Sequence, residues 1–432
     1  MNTLRILVKS FGCSTNQADG EVLAGCLRHA GFVMTENPQT ADVVIYNCCA
    51  VKGPTENRMI AIVKRAPLEK KVIVAGCLPA INLERLQRET RFDSVVGPAF
   101  GDKIVEVVKR VCAGEKVVAL KNMLTTKPDL CLPHERTNPV VSMIPVNYGC
   151  LGSCAYCCVQ FARGHLRSYS LTDVTKRVKT DFAAGAREFW ITSQDAACYG
   201  RDIGSNLAEL LKAVCKLPGD FRVRVGMMTP NNVADILSEL IQSLENKKVF
   251  KFLHLPVQSG DDGVLALMHR FYSVWQFKEI VSAFRNAFPD VTLATDVICG
   301  FPGESEEAFG RTLQLISDVE PDVVNVSKFF ARPGTVAASI SDGLVGHSEI
   351  KRRTSETARL ARKTAFERNQ HWVGWTGEII VDEKGKIPGS WVGRNFAYKP
   401  VVLRENSELM GKVLRAKVVG AFQTHLVGEI IV

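Results

Sequence analysis

Short β-branched runs alternate with helical patterns along the first hundred residues. Arg5–Phe11, Asp42–Asn47 and Lys71–Ala75 are compact apolar stretches, and Glu21–Ala30 and Glu56–Lys64 between them read as helices. That alternation predicts an α/β domain with a doubly wound parallel sheet over residues 1–112. Ala113–Pro139 carries Gly, Lys, Thr and several Pro with weak periodicity, which predicts an inter-domain linker. A second alternating series occupies residues 140–348. Its predicted strands are Val140–Val146, Glu188–Thr192, Phe221–Gly226, Phe250–Pro256, Thr292–Ile298 and Asp322–Phe329. Amphipathic runs at Asp173–Ala184, Leu207–Lys216, Val233–Leu244, Phe277–Phe288 and Glu306–Val319 separate them. Six β/α units are too few for a full eightfold barrel, so a partial parallel barrel is expected. Residues 349–370 are charged and helical with a scattered apolar face, and predict a connecting helix. In 371–432 the runs Gly377–Val381, Lys399–Leu403, Gly411–Val419 and His425–Val432 are separated by Gly, Pro and Asn, predicting a small all-β barrel.

Composition agrees with several soluble domains. At 432 residues the chain is too long for one ordinary core, and its 46% hydrophobic and 23% charged content is that of a globular protein. The N-terminus has only a short apolar stretch and reads as a first strand rather than a signal peptide. No apolar run is long enough to span a bilayer, so no membrane partner and a cytoplasmic location are expected. The net charge is +9, and from Gly346 onward 15 Lys plus Arg face 9 Asp plus Glu. A basic terminal module suits an anionic partner, nucleic acid being the commonest, although surplus Lys and Arg also make a plain solvated face.

Fourteen cysteines in such a chain do not suit a disulfide scaffold, which is small and secreted; clustered thiols here point to metal ligands or small buried hydrophobes. Cys150, Cys154 and Cys157 have the spacing C-x3-C-x2-C just after the first barrel strand, where parallel barrels carry their chemistry. Three thiolates at that spacing can hold a [4Fe–4S] cube and leave one iron open to chelate S-adenosylmethionine (SAM). A zinc site wants four ligands, and no second pair follows. Cys13, Cys49 and Cys77 each follow a strand of the N-terminal sheet, so all three should meet at its carboxyl edge, where a second cluster is the better reading than three buried thiols. Cys48, beside Cys49, competes for that role. The other cysteines (Cys26, Cys112, Cys131, Cys158, Cys198, Cys215, Cys299) have no partner spacing, and Cys26 and Cys215 lie in helical patterns that suit the core.

At this point the residues resemble a known family, the radical-SAM methylthiotransferases. The likeness runs over essentially the whole chain, through SFGCSTNQADGE, ADVVIYNCCAV, VIVAGCLP, YGCLGSCAYCCVQFARGHLRSY, KFLHLPVQSGDD and DVICGFPGE. The family's Asn-Thr-Cys pattern aligns Cys49 as ligand and Cys48 with the Thr. The last domain looks like a TRAM domain, a small RNA-binding β-barrel. RNFAYKPVVL resembles the archaeal and eukaryotic branch, which implies addition of a methylthio group to C2 of N6-threonylcarbamoyladenosine at tRNA position 37. The resemblance implies an auxiliary cluster on Cys13, Cys49 and Cys77, a SAM cluster on Cys150, Cys154 and Cys157, the tRNA anticodon loop as partner, and donors of low-potential electrons and sulfur. The radical would arise at the cluster, so no side chain is assigned a catalytic role.

Further site residues are judged from chemistry. Ser193, Gln194 and Asp195 end the second barrel strand within reach of the SAM ammonium group, with Asp195 supplying charge. Gly300 and Gly303 follow the fifth strand and would let backbone approach an adenine, or simply make a turn. Arg332 follows the sixth strand and could face SAM, substrate or solvent. Arg394, Phe396, Tyr398 and Lys399 interleave basic and aromatic groups as RNA contact requires, while Phe396 and Tyr398 equally suit a core face. The alternatives are methylthiolation of a ribosomal-protein aspartate or of another N6-modified adenosine 37, and a non-catalytic iron–sulfur RNA-binding protein.

Overall fold

A computed structural model describes residues 4–120 and 125–431. Residues 1–3 of the first expected domain, 121–124 of the expected linker and Val432 of the last expected strand lie outside them.

The N-terminal sheet has six parallel strands: β1 (Arg5–Ser10), β2 (Val33–Met34), β3 (Val43–Cys48), β4 (Lys71–Gly76), β5 (Ser94–Val96) and β6 (Val118–Ala119), in the order β2-β1-β3-β4-β5-β6. β3 is buried throughout, as a central strand covered on both faces should be. The chain reverses direction across the sheet between β1 and β3, the switch point where open α/β sheets leave a crevice at their carboxyl ends. β6 lies within the expected linker, so the domain runs past the expected end at Cys112. A two-residue strand carries too little pattern to be seen.

The central series forms β7 (Val141–Pro145), the hairpin β8 (Asn147–Tyr148) with β9 (Arg167–Ser168), then β10 (Glu188–Thr192), β11 (Arg222–Val225), β12 (Phe252–His254), β13 (Thr292–Cys299) and β14 (Val323–Lys328). Two parallel sheets, β11-β10-β7 and β12-β13-β14, meet at the Val223–Val249 bridge and continue as one open half-barrel. All six expected strands are present. The expected helix Val233–Leu244 is divided into Pro230–Ala234 and Leu237–Leu244.

Helix Ser14–His29 joins the first two domains. Its Thr15, Asn16, Asp19 and Glu21 are all buried, because one side covers the sheet and the other packs on the half-barrel. Ser14 Oγ lies 2.5 Å from Thr192 Oγ1, Asp19 accepts from Tyr148 Oη at 2.7 Å, and Glu21 accepts from Thr137 N–H at 2.8 Å. Such a doubly buried helix has no simple apolar stripe, so its first turns do not read as helix in the sequence.

Helix His347–Gln370 leads to a closed barrel of β15 (Thr376–Lys384), β16 (Ser390–Arg394), β17 (Pro400–Arg404), β18 (Val413–Ala421) and β19 (Leu426–Ile430), in the order β15-β16-β17-β19-β18. Its interior is filled by Trp372, Ile379, Val381, Trp391, Val401, Leu403, Val418 and Leu426. Ile380 and Tyr398 leave that core and pack on Phe250, Phe252 and Ala294 of the half-barrel. Among the described residues no helix is long and apolar enough to cross a membrane.

Candidate functional site

All six cysteines assigned to clusters line one cavity of about 590 Å³ between the N-terminal sheet and the mouth of the half-barrel. Cys13 directly precedes helix Ser14–His29, Cys49 follows β3, and Cys77 opens helix Cys77–Ile81 directly after β4. Pleating separates the neighbours that sequence left adjacent. Cys48, the last residue of β3, is fully buried in the apolar core, while Cys49 reaches the cavity. Gly12, with φ +104°, lies against Cys49, and any Cβ there would strike that side chain.

The second triad lies on the loop between β8 and β9, whose pairing closes the loop at its base. Gly149 turns into it at φ +75°, where a Cβ would collide with the His165 carbonyl. A Cβ built at Gly152 would lie 3.4 Å from Cys150 Sγ and 3.7 Å from Cys154 Sγ, so both sulfurs converge on that glycine. Gly152 N–H donates to Cys150 Sγ at 3.2 Å, and Arg270 Nη1 donates to Cys154 Sγ at 3.2 Å.

The electrostatics suit an iron–sulfur site. Burial pushes the Cys77 and Cys157 thiols up to about 12 and raises Cys49; the nearby Arg163 charge partly offsets this at Cys77. Cys150 goes the other way, lowered chiefly by a hydrogen bond from Cys198, against its burial. Buried thiols of raised pKa are poor bare thiolates and ionise when iron supplies the compensating charge. Raised thiols occur in both triads, Cys49 and Cys77 in one and Cys157 in the other, and the six sulfur donors around one cavity suit iron–sulfur ligation. Among the described residues no three His, Cys, Asp or Glu side chains are grouped tightly enough for a single metal ion.

The remaining expected residues divide. Ser193 lines the cavity with a buried Oγ that has no hydrogen-bond partner. Gln194 also lines it, but its Oε1 accepts from Gly149 N–H at 2.8 Å and so shapes the cysteine loop. The Asp195 carboxylate accepts from the Ala197 and Thr229 N–H groups and from Asn232 Nδ2 at 2.7 Å. It organises the strand ends rather than offering free charge. Gly300 and Gly303 do not line the cavity. They turn away from it, their missing side chains making room for Ile350 and Leu267. Arg332 is buried against Glu56 in an ion pair that ties the half-barrel to the N-terminal domain.

The expected RNA contacts need a larger correction. Lys399 is buried, with Nζ 2.7 Å from both Asp322 Oδ1 and Asn369 Oδ1. Arg394 pairs with Asp382 at 3.0 Å and Glu383 at 3.3 Å. Tyr398 packs edge-on against Phe250, with ring centroids 4.9 Å apart. Tyr398 and Lys399 cement the terminal barrel to the half-barrel, Arg394 braces β15 within the barrel, and only Phe396, 41% exposed, faces outward. Alternating basic and aromatic residues suit an inter-domain seam as well as an RNA surface, and the seam is what the tertiary structure builds.

Arg163, Arg270, His254 and Asp296 also line the cavity and were not singled out from the sequence. His254 Nε2 lies 3.3 Å from Asp296 Oδ2, and Asn325 Nδ2 donates to the other oxygen, Asp296 Oδ1, at 2.7 Å. Arg163 and Arg270 lay within or beside recognisable motifs, but an arginine in a motif carries no sign of which way it points.

The comparisons with known proteins agree with this geometry. Residues 5–97 match the uncharacterized protein family UPF0004, and residues 144–316 match the radical SAM superfamily. The chain is 41% identical over 431 residues to a probable threonylcarbamoyladenosine tRNA methylthiotransferase of Pyrococcus horikoshii, covering 99% of this chain and 100% of the relative. It is 36% identical to the Homo sapiens threonylcarbamoyladenosine tRNA methylthiotransferase, over 96% of this chain and 72% of that one. In fold it is similar to the radical S-adenosylmethionine methyltransferase TsrM of Kitasatospora setae, with TM-score 0.57 and 13% identity over 78% of this chain and 76% of that chain. With a radical-SAM half-barrel behind an N-terminal cysteine domain and full-length similarity to such relatives, the chain belongs to the radical-SAM methylthiotransferase family of the threonylcarbamoyladenosine tRNA enzymes.

Proposed function

We propose that this chain adds a methylthio group to C2 of N6-threonylcarbamoyladenosine at position 37 of tRNA. The observation that carries the reading is the convergence of two cysteine triads, one from each of two domains, on a single cavity. An RNA tether alone has no use for two sites each with an open iron. Relatives at 36–41% identity along nearly the whole chain are threonylcarbamoyladenosine tRNA methylthiotransferases, which supports the same substrate.

Cys150, Cys154 and Cys157 would hold the cluster that, with SAM, supplies the 5′-deoxyadenosyl radical; Cys13, Cys49 and Cys77 would hold the one that carries the sulfur. Around them the chain's own residues bind and orient. Ser193 Oγ, buried and unpartnered, is the polar group left to meet the SAM ammonium. Gln194 and Asp195 hold the cysteine loop and the strand ends in register. Arg270 fixes Cys154, and burial of the cavity's inner wall keeps water from a reactive intermediate.

The test is mass spectrometry of tRNA nucleosides after incubation with SAM, a low-potential reductant and a sulfide source. The parent chain should yield the 2-methylthio derivative of N6-threonylcarbamoyladenosine, and Cys150→Ala none. A ribosomal protein that gains the methylthio mass while tRNA stays unmodified overturns the reading. Retention of SAM cleavage by Cys13→Ala, with loss of methylthio transfer, would confirm the division between the triads.

A further inference from the structure

Arg163 ends the short helix Val159–Arg163 of the half-barrel, yet it points across the domain boundary at the N-terminal cysteines. It is among the most deeply buried large side chains of the protein. One terminal nitrogen, Nη2, donates to Asp19 Oδ2 at 2.8 Å and lies 3.3 Å from Asn16 Oδ1. The guanidinium carbon stands 5.7 Å from the Tyr148 ring centroid. The other terminal nitrogen, Nη1, is buried and has no hydrogen-bond partner. Its charge acts on Cys13, Cys49 and Cys77 together.

A buried donor without an acceptor costs on the order of 1–3 kcal/mol and persists where something else satisfies it. Helix Cys77–Ile81 packs directly on helix Val159–Arg163, and the Arg163 charge acts on Cys77 and Cys13, which brings the sulfurs of the N-terminal triad within its reach. Asp19, itself held by Tyr148 Oη at 2.7 Å, anchors the far end of the fork and aims the near end at them. A planar fork suits that double duty, one arm per acceptor, and a lysine does not.

We propose that Arg163 is a positioning residue for the N-terminal triad: Nη1 donates to a sulfur held there, which fixes the cluster at the domain boundary and raises its reduction potential. Hydrogen bonds to cluster sulfurs and nearby positive charge stabilise the reduced, more negative form. The inference rests on the two-cluster reading above. It also explains why the half-barrel must be docked on the N-terminal domain for the auxiliary site to be complete.

The test uses the Cys150→Ala chain, reconstituted anaerobically, where the N-terminal triad alone gives an electron-paramagnetic signal. A Cys150→Ala chain that takes up no iron overturns the two-cluster reading itself. With about four irons bound, Arg163→Met is then added, and Asp19→Asn/Arg163→Met keeps the pocket neutral where the single change strains it. The expected result is at least a tenfold weakening of the reduction equilibrium, about 59 mV more negative for a one-electron couple, with partial recovery in Arg163→Lys. Loss of the iron in both Met variants with retention in Arg163→Lys supports the same role. Full iron with an unmoved potential and signal in both Met variants overturns it. So does equal loss of iron in Arg163→Lys and the Met variants, which is what packing alone would produce.

Discussion

Replacing Lys399 with alanine removes a cation from the seam between the terminal barrel and the half-barrel. Lys399 Nζ is shared between Asp322 and Asn369 at 2.7 Å each, and both charged partners are almost fully buried. Breaking a buried pair from one side costs roughly 3–5 kcal/mol, because the remaining charge stays desolvated. Here Asp322 keeps Leu293 N–H at 2.8 Å and Arg368 Nε at 3.4 Å, so the loss belongs near the lower end, about 3 kcal/mol. The barrel strands should then open locally about 100-fold more often, which hydrogen exchange across Ser390–Arg404 reads directly. Phe396→Ala, at an exposed position of the same segment, should leave that exchange within about threefold of the parent. The reasoning fails if Lys399→Ala exchanges like the parent. It fails most clearly if tRNA affinity falls instead and the salt dependence of binding loses about one phosphate contact, as removal of an RNA-contacting lysine requires.

Gly149→Ala should abolish iron binding at the Cys150 loop while leaving the N-terminal triad loaded, so iron per chain falls by about half; the added Cβ meets the His165 carbonyl at a left-handed φ. Cys49→Ser should lose the N-terminal share of the iron and Cys48→Ser should keep it, since Cys48 faces the apolar core; equal loss from both would reverse that assignment. Glu188 is fully buried, and burial followed by the Asp382 charge raises its pKa from 4.5 to about 7. The folded chain therefore holds a proton that the unfolded chain has released between those values, and Glu188 makes stability fall as pH rises from about 4.5 to about 7. Glu188→Gln should flatten that slope in thermal melts across the window; an unchanged slope would count against a proton on Glu188.

The sequence alone determined the three-part architecture and the two triads, because each rests on local pattern. Six barrel strands announce themselves by β-branched runs, and C-x3-C-x2-C is a single loop. Even Cys13, Cys49 and Cys77, distant in the chain, were legible, since all three follow strands and a parallel sheet brings strand ends to one edge. What remained hidden depends on which way a side chain points across a domain boundary. A strand-end argument cannot separate Cys48 from Cys49; the family pattern favours Cys49, and the end of β3 shows why, burying Cys48 in the apolar core and letting Cys49 reach the cavity. Arg394, Tyr398 and Lys399 have the chemistry of an RNA surface, yet Arg394 pairs with Asp382 inside its own barrel, and the docking of two domains turns Tyr398 and Lys399 inward to Phe250 and Asp322. Arg163 is one more arginine in the sequence. The packing of helix Ser14–His29 between two domains makes it a buried cation facing three cysteines, because Asp19 on that helix takes one end of its fork and leaves the other free.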